Sequence, residues 1–319
     1  MSAPISAPFP WMGGKSRVAA DVWRRFGTVA NYVEPFFGSG AVLLGRPDPS
    51  GPETVNDADG YVANFWRAVA ADPEAVAHEA DWPVNENDLT ARHIWLVQRR
   101  EALVAQLEGD PAYYDARIAG WWVWGINCWI GSGFCSGDGP WSSVDGKRVH
   151  LGNAGQGVHR QLVHLGDAGR GEDGLLGWMQ ALSERLRRVR VCCGDWSRVC
   201  GPSPTVKLGL TGVFLDPPYS DEAGRTADIY AQDCGDVAHD VRRWAIEHGD
   251  DPMLRIALCG YEGEHAMPET WAEAAWKAHG GYGSQGEGRG RENAGRERIW
   301  FSPHCLQDEL PLFAAEVTA

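Results

Sequence analysis

The sequence predicts an α/β protein built on a mostly parallel, doubly wound sheet, and three observations carry that prediction. Short apolar runs bounded by turn residues recur along the chain, stretches with helical spacing lie between them, and each chemically pointed motif falls where a run stops. Ligands bind such sheets at the carboxyl ends of the strands, near the point where strand order reverses.

Residues 29–35 read as a buried strand that ends at Phe36-Phe37-Gly38-Ser39-Gly40, and the apolar Ala41-Val42-Leu43-Leu44 opens a helix after it. Residues 53–57 form a second short strand. Residues 60–71 place Val62, Phe65, Trp66 and Val69 at helical spacing. Residues 89–107 and 112–128 look helical, and 175–186 is an amphipathic helix feeding a strand at 189–193. Residues 211–216 form the strand before Asp216-Pro217-Pro218-Tyr219. A helix is expected at 237–248, a strand at 253–259, a helix at 269–279 and a last strand at 296–302. The Gly-rich stretches at 131–174 and 280–295 read as long loops.

At 319 residues and 44% hydrophobic content the chain reads as soluble and globular. It shows neither an apolar run near the ~20 residues of a membrane span nor a signal-peptide pattern, so a cytoplasmic location is expected. Its eight cysteines, Cys128, Cys135, Cys192, Cys193, Cys200, Cys234, Cys259 and Cys305, form no Cys-x-x-Cys pair. They read as reduced core thiols, and no metal site is expected. A net charge of −14 argues against broad coating of a polyanion but leaves room for a local basic cleft. Arginines do cluster, at Arg185, Arg187, Arg188 and Arg190 and again at Arg289, Arg291, Arg296 and Arg298.

Asp216-Pro217-Pro218-Tyr219 combines an acceptor carboxylate, two rigid residues without N–H groups and an aromatic face. That set suits a planar amino group such as adenine N6 or cytosine N4. Alone, it is also an ordinary post-strand turn. Three further acids follow predicted strands: Glu34 ahead of the glycine turn, Asp57 in Val55-Asn56-Asp57, and Asp195 in Cys193-Gly194-Asp195-Trp196. A carboxylate at the end of the second strand is where nucleotide-binding sheets grip a ribose. Near the start, Pro8-Phe9-Pro10-Trp11-Met12-Gly13-Gly14-Lys15 places a Trp, two glycines and a Lys ahead of a helix, suited to closing over a ligand and meeting a carboxylate.

Taken in order, Pro-Trp-x-Gly-Gly-Lys, Val-Glu-Pro-Phe-Phe-Gly-Ser-Gly, Asn-Asp-x-Asp and Leu-Asp-Pro-Pro-Tyr resemble the Dam-type, alpha-group DNA adenine N6-methyltransferases, over roughly residues 8–301. The resemblance implies a Rossmann-like sheet that binds S-adenosylmethionine, formed by residues 1–72 and 187–305, with a mainly helical and loop target-recognition insert at 73–186 and a tail at 306–319. It implies that Trp11, Gly14 and Lys15 meet the methionine end of the cofactor, with Glu34, Phe36, Gly38 and Gly40 around it. Asp57 would hold the ribose and Asp195 would lie near the cofactor adenine. Asp216 would accept from the target amino group, Pro217 would offer its carbonyl beside the catalytic-motif residue Pro218, and Tyr219 would stack on a base flipped from double-stranded DNA. A prokaryotic or phage restriction-modification setting goes with the resemblance.

Relatives carry Asn-Arg, then Phe-Asn-Gly-Leu and an arginine, where this chain has Asn127-Cys128-Trp129-Ile130-Gly131-Ser132-Gly133-Phe134. With those arginines missing, the candidates for DNA contact are Asn127, Trp129, Lys147, Arg148, Arg160 and Arg170, with Arg289 and Arg291 on the later loop. Of the tryptophans Trp121, Trp122, Trp124, Trp129 and Trp141, helical spacing sends Trp121 and Trp124 to the core, and leaves Trp129 or Trp141 as candidate wedges. Gln307-Asp308-Glu309-Leu310-Pro311-Leu312-Phe313 resembles the peptides by which bacterial DNA enzymes dock on the sliding clamp. Two rival readings are cytosine N4 methylation, usually signalled by Ser in place of Asp216, and a regulator that binds cofactor and DNA without turnover.

Overall fold

The structure is a computed structural model that describes residues 5–11, 13–130, 134–135, 141–144, 147–150, 158–171, 173–219, 237–276 and 295–307. In chain order its elements are α1 (Ala19–Phe26), β1 (Asn31–Glu34), α2 (Ala41–Leu44), β2 (Glu53–Asp57), α3 (Gly60–Ala71), α4 (Pro73–Ala80), α5 (Glu86–Val97), α6 (Arg100–Gly109) and α7 (Ala116–Cys128). There follow β3 (Trp141–Val144), β4 (Lys147–His150), α8 (Asp173–Leu186), β5 (Val189–Cys193), β6 (Thr211–Leu215), α9 (Val237–His248), β7 (Leu254–Tyr261), β8 (Ala272–Ala275) and β9 (Glu297–Phe301).

Among the described residues the main sheet has the order β5-β2-β1-β6-β7-β9-β8. The strands from β5 to β7 are parallel, and β9 is antiparallel to both β7 and β8. Alternate residues face opposite layers, as the period of two demands. Val33, Val213, Leu215, Ile256 and Leu258 join the core that contains Val241 and Ala245 of α9. Tyr32, Phe214, Ala257 and Cys259 join the larger core with α1 and α3. Burial on both faces explains why these strands read as continuous apolar runs.

From β1 the chain builds outward through β2 to β5, then returns to place β6 on the other side of β1. The order therefore reverses between β1 and β6. A crevice opens beyond their carboxyl ends, where the glycine turn and Asp216 both lie.

The helical layer beside β2 departs from the expected helices. One predicted helix over 89–107 is two, α5 and α6. The Arg99 guanidinium stacks 3.7 Å from the Trp95 ring and its Nη1 donates to the Trp95 carbonyl, satisfying an orphan acceptor at the end of α5. The helix α4 was not anticipated, although Asp72 caps it by accepting from the Ala75 N–H, with Pro73 at the first position. Within 131–174, expected as loop, β3 and β4 form an antiparallel pair and Trp129 bridges Val158. The helix expected at 269–279 is instead the edge strand β8. Its alanine-rich sequence favours helix, but pairing with β9 prevails, and Glu273 accepts across the pair from Arg298 Nε and Trp300 Nε1. Among the described residues no helix is long and apolar enough to cross a membrane, and no group of three His, Cys, Asp or Glu is placed to hold a metal ion.

Candidate active site

The glycine turn after β1 depends on backbone freedom. Gly38 and Gly40 have φ of 47° and 67°, the left-handed region that costs other residues strain. A Cβ on Gly38 would stand 2.4 Å from Nε1 of Trp11, so the indole lies directly on the bare backbone. From behind, Trp66 Nε1 donates to the Gly38 carbonyl at 2.9 Å.

Beside this turn, β2 ends at Asp57. Its Oδ2 accepts from the Gly38 N–H at 2.8 Å and its Oδ1 from the Asp59 N–H at 2.9 Å. Burial, then the nearby Asp59 carboxylate, pushes the Asp57 carboxyl up to about 7 against the opposing backbone donors. Asn56 fixes the neighbouring turns, its Nδ2 donating to Pro35 O at 3.1 Å and Gly194 O at 2.9 Å. Asp195 accepts from the Ser197 N–H at 2.9 Å and starts a 3-10 turn. That turn lays Trp196 nearly parallel to Phe36, at 29° with centroids 6.2 Å apart.

At the end of β6, Asp216 Oδ2 lies 2.7 Å from Lys15 Nζ, whose side chain is 4% exposed. Lys15 also donates to the Gly13 carbonyl at 2.8 Å and to the Tyr219 hydroxyl at 3.3 Å. Trp276 and Tyr219 present their rings to the ammonium, with centroids 5.3 and 5.7 Å away. Burial disfavours the Lys15 charge, but Asp216 foremost, then Glu297, outweighs it and holds the ammonium above its ordinary range. The Tyr219 hydroxyl donates to Glu297 Oε2 at 2.6 Å. Burial also raises Glu297, against the pull of Lys15 and Tyr219.

These two clusters share one cavity of about 500 Å³. Trp11, Gly14, Lys15, Glu34, Phe36, Gly38, Asp57, Asp195, Asp216 and Pro218 line it. Gly40, Pro217 and Tyr219 sit just behind the lining. Gly40 instead gives room to Phe37 and Trp66, since a Cβ there would meet Phe37 at 2.8 Å. Lys15, itself part of the lining, meets the Asp216 carboxylate there. Within the lining, Glu34 accepts from the Tyr32 hydroxyl at 2.8 Å, and burial drives its carboxyl well above the usual range.

The expected DNA contacts divide differently. Asn127 is buried, and its Nδ2 donates to the Pro8 and Val123 carbonyls at 3.0 and 2.7 Å. Trp129 is buried too, stacked on His93 at 5.1 Å and 17°. Both hold the helical layer together instead of facing outward. Arg160 is exposed and its Nη2 lies 3.5 Å from Glu86, while Arg170 is exposed at the end of the 158–171 segment. Lys147 and Arg148 lie on β4. Arg289, Arg291 and Asp308 to Phe313 of the tail peptide lie outside the described residues. In the first arginine cluster, Arg185 is no surface charge. Its guanidinium spans Glu53 with contacts of 2.6 and 2.8 Å.

Sequence reasoning passed over Glu297, Asn56 and Trp196. A Glu opening the last strand carried the one available signal for Glu297: in an antiparallel terminal strand the first residue returns to the carboxyl edge of the sheet.

Residues 11–108 match the family described as D12 class N6 adenine-specific DNA methyltransferase. Over 79 residues the chain is 33% identical to the DNA adenine methylase of Vibrio cholerae, in both the Classical Ogawa 395 and El Tor Inaba N16961 strains. That stretch covers 24% of this chain and 28% of each relative. The matched family segment contains Trp11, Lys15, the glycine turn and Asp57, one wall of the cavity.

Proposed function

We propose that this chain is a DNA adenine methyltransferase that transfers a methyl group from S-adenosylmethionine to N6 of an adenine flipped out of double-stranded DNA. The observation that carries the reading is the shared cavity, in which the carboxylate of Asp216 faces the same space as the glycine turn and Asp57. Its volume of about 500 Å³ falls within the range of about 300–1,000 Å³ common for cofactor pockets. Its furnishings fit a nucleoside: a near-parallel aromatic pair, Phe36 and Trp196, and a carboxylate at the second strand's end.

When bound, S-adenosylmethionine supplies an electrophilic methyl group on a sulfonium. Asp57 accepts from the ribose hydroxyls, Asp195 and Trp196 border the cofactor adenine, and Trp11 covers the bare backbone of Gly38 beside the methionine end. Asp216 accepts a hydrogen bond from the target amino group, and the Pro217 carbonyl, which has no N–H to compensate, is the second acceptor. Two acceptors draw electron density onto a nitrogen whose lone pair is otherwise delocalised into the ring. They also point that lone pair along the line of transfer. The nitrogen would take the methyl group as its C–S bond to the sulfonium breaks to leave a neutral thioether, and the surplus amino proton would pass to solvent. Tyr219 presents a ring face to the flipped base, and residues 73–186 form the insert that reads the DNA, with Lys147, Arg148, Arg160, Arg289 and Arg291 as candidate contacts. Docking of the tail peptide on a sliding clamp belongs to the same reading.

The test is incubation of the purified protein with labelled cofactor and duplex DNA, followed by nucleoside analysis. N6-methyladenine, lost in Asp216→Ala, is the expected product. N4-methylcytosine would move the chain to the cytosine branch, and cofactor binding without any methylated nucleoside would make it a regulator.

A further inference from the structure

The reversal at the end of the sheet delivers an acid to its reacting edge. In the pairing of β9 with β7, Glu297 stands opposite Tyr261. Being first in an antiparallel strand, it lies where the parallel strands finish. Glu297 is 4% exposed and does not line the cavity, so whatever it does there passes through a neighbour. That neighbour is Tyr219, which does not line the cavity either but hydrogen-bonds Lys15 and Asp216, which do. A tyrosine has one hydroxyl proton to donate, and two carboxylates compete for this one. Glu297 Oε2 is 2.6 Å from the hydroxyl and Asp216 Oδ1 is 3.4 Å away. With the proton on the Glu297 side, the phenol oxygen accepts from Lys15 at 3.3 Å, and the ring is braced edge-on against Tyr261 at 4.4 Å. Lys15 occupies Asp216 Oδ2 at 2.7 Å and the Cys259 thiol also hydrogen-bonds this carboxylate, so little acceptor capacity remains for a substrate, and a Tyr219 hydroxyl turned onto Oδ1 would take it.

We propose that Glu297 is a positioning residue for methyl transfer: by taking the Tyr219 hydroxyl proton it fixes that ring and keeps Asp216 Oδ1 open to the target amino group. Removing the Glu297 carboxylate turns the hydroxyl toward Asp216, where it competes with the incoming N–H and lets the ring swing. The inference rests on the methyltransferase reading above.

Steady-state kinetics, thermal unfolding and cofactor binding of wild type, Glu297→Ala, Glu297→Gln, Tyr219→Phe and the Tyr219→Phe/Glu297→Ala double variant test it. Glu297→Ala is expected to lower kcat by about 10- to 100-fold, the scale of a misplaced reacting group, with the KM for cofactor unchanged. Glu297→Gln, which retains an acceptor oxygen and the side chain's shape, should recover part of that loss with a wild-type Tm. The double variant should be no slower than Tyr219→Phe alone, because both changes act through one hydroxyl. Wild-type kcat in both Glu297 variants, multiplying losses in the double variant, or a loss that follows Tm and cofactor affinity together would each overturn the inference alone. A wild-type protein that methylates no DNA would remove the reading and the inference with it.

Discussion

Glu53 and Asp57 occupy the two ends of β2, on the same side of the strand and both largely removed from water, yet they are treated in opposite ways. Glu53 is 1% exposed and saturated by cations, with Arg46 at 3.0 Å and Arg185 at 2.6 Å. Arg46 also donates to the Val29 and Ser50 carbonyls, so the trio closes the amino edge of the sheet. Among the described residues, Asp57 has no cation as a hydrogen-bond partner. It is held by the N–H groups of Gly38 and Asp59, beside a second acid, at the wall of a cavity. Full pairing marks an acid whose work is to hold the chain. An acid supported by backbone donors alone keeps acceptor capacity for a ligand, at the cost of a carboxyl pushed up to about 7 by burial and by Asp59. At the amino edge the buried acid is closed by cations, and at the carboxyl edge it faces a cavity.

The sharpest way to break that division is at Asp216, the acid of the cavity at the end of β6. Asp216→Ala should lower methyl transfer by at least about 10³-fold, the scale of losing a preorganised transition-state contact, while cofactor still binds in equilibrium dialysis. Transfer near the wild-type rate would sink the catalytic assignment. At the opposite edge, Glu53→Ala should leave kcat per folded molecule unchanged but cost about 3–5 kcal/mol of stability, because two arginines lose their buried partner. Chemical denaturation measures it, and a loss of activity without a loss of stability would reverse the comparison.

Gly38→Ala should act between these extremes. The left-handed φ costs a Cβ-bearing residue about 1–2 kcal/mol, and the new methyl displaces the Trp11 indole. Weaker cofactor binding, read by titration calorimetry, is expected with only a modest fall in Tm.

The last effect is a pH dependence at Asp57, read as a slope and not as a loss at one pH. Its folded carboxyl titrates near 7, above its ordinary value of 3.8. The folded chain therefore binds a proton that the unfolded chain has released, and stability attributable to Asp57 falls as pH rises from about 4 to about 7. Cofactor affinity should run the other way, tightening as pH rises through 7 and the carboxylate becomes an acceptor for the ribose. The difference between wild type and Asp57→Asn, in denaturation and in binding across that range, isolates the two slopes. An identical profile in the variant would assign them to other groups.

Much of the carboxyl edge was legible in the sequence because local and global signals agree there. Residues 53–57 and 60–71 were read with their observed bounds. The helix α3 starts where Asp59 accepts from the Tyr61 N–H, and the strand is a short stretch centred on the β-branched pair Thr54 and Val55 with an acid at its end. The motifs around Gly38 and Asp216 combine glycine, proline and aromatic residues in ways that a core does not require. What escaped notice depends on contacts between distant parts of the chain. Nothing near Gln98 and Arg99 breaks a helical pattern, and the turn is set by Arg99 folding back on Trp95. Residues 272–275 become a strand because β9 offers an edge to pair with. Asn127 and Trp129 looked like contacts because relatives place recognition residues there, yet their depth is set by Pro8 and His93, which spacing along one helix does not show.

The antiparallel entry of β9 also sets when the site is finished. During synthesis the glycine turn, Asp57 and Asp216 are all in place some eighty residues before Glu297 is made, and the Tyr219 hydroxyl has no distant carboxylate to hold it until β9 docks against β7. The grip on the reacting edge is thus one of the last long-range contacts to close, linking Lys15, Tyr219 and Glu297 across most of the chain. A nascent chain stalled before β9 would carry the glycine turn, Asp57 and Asp216 without the long-range hydrogen bond that Glu297 accepts from Tyr219.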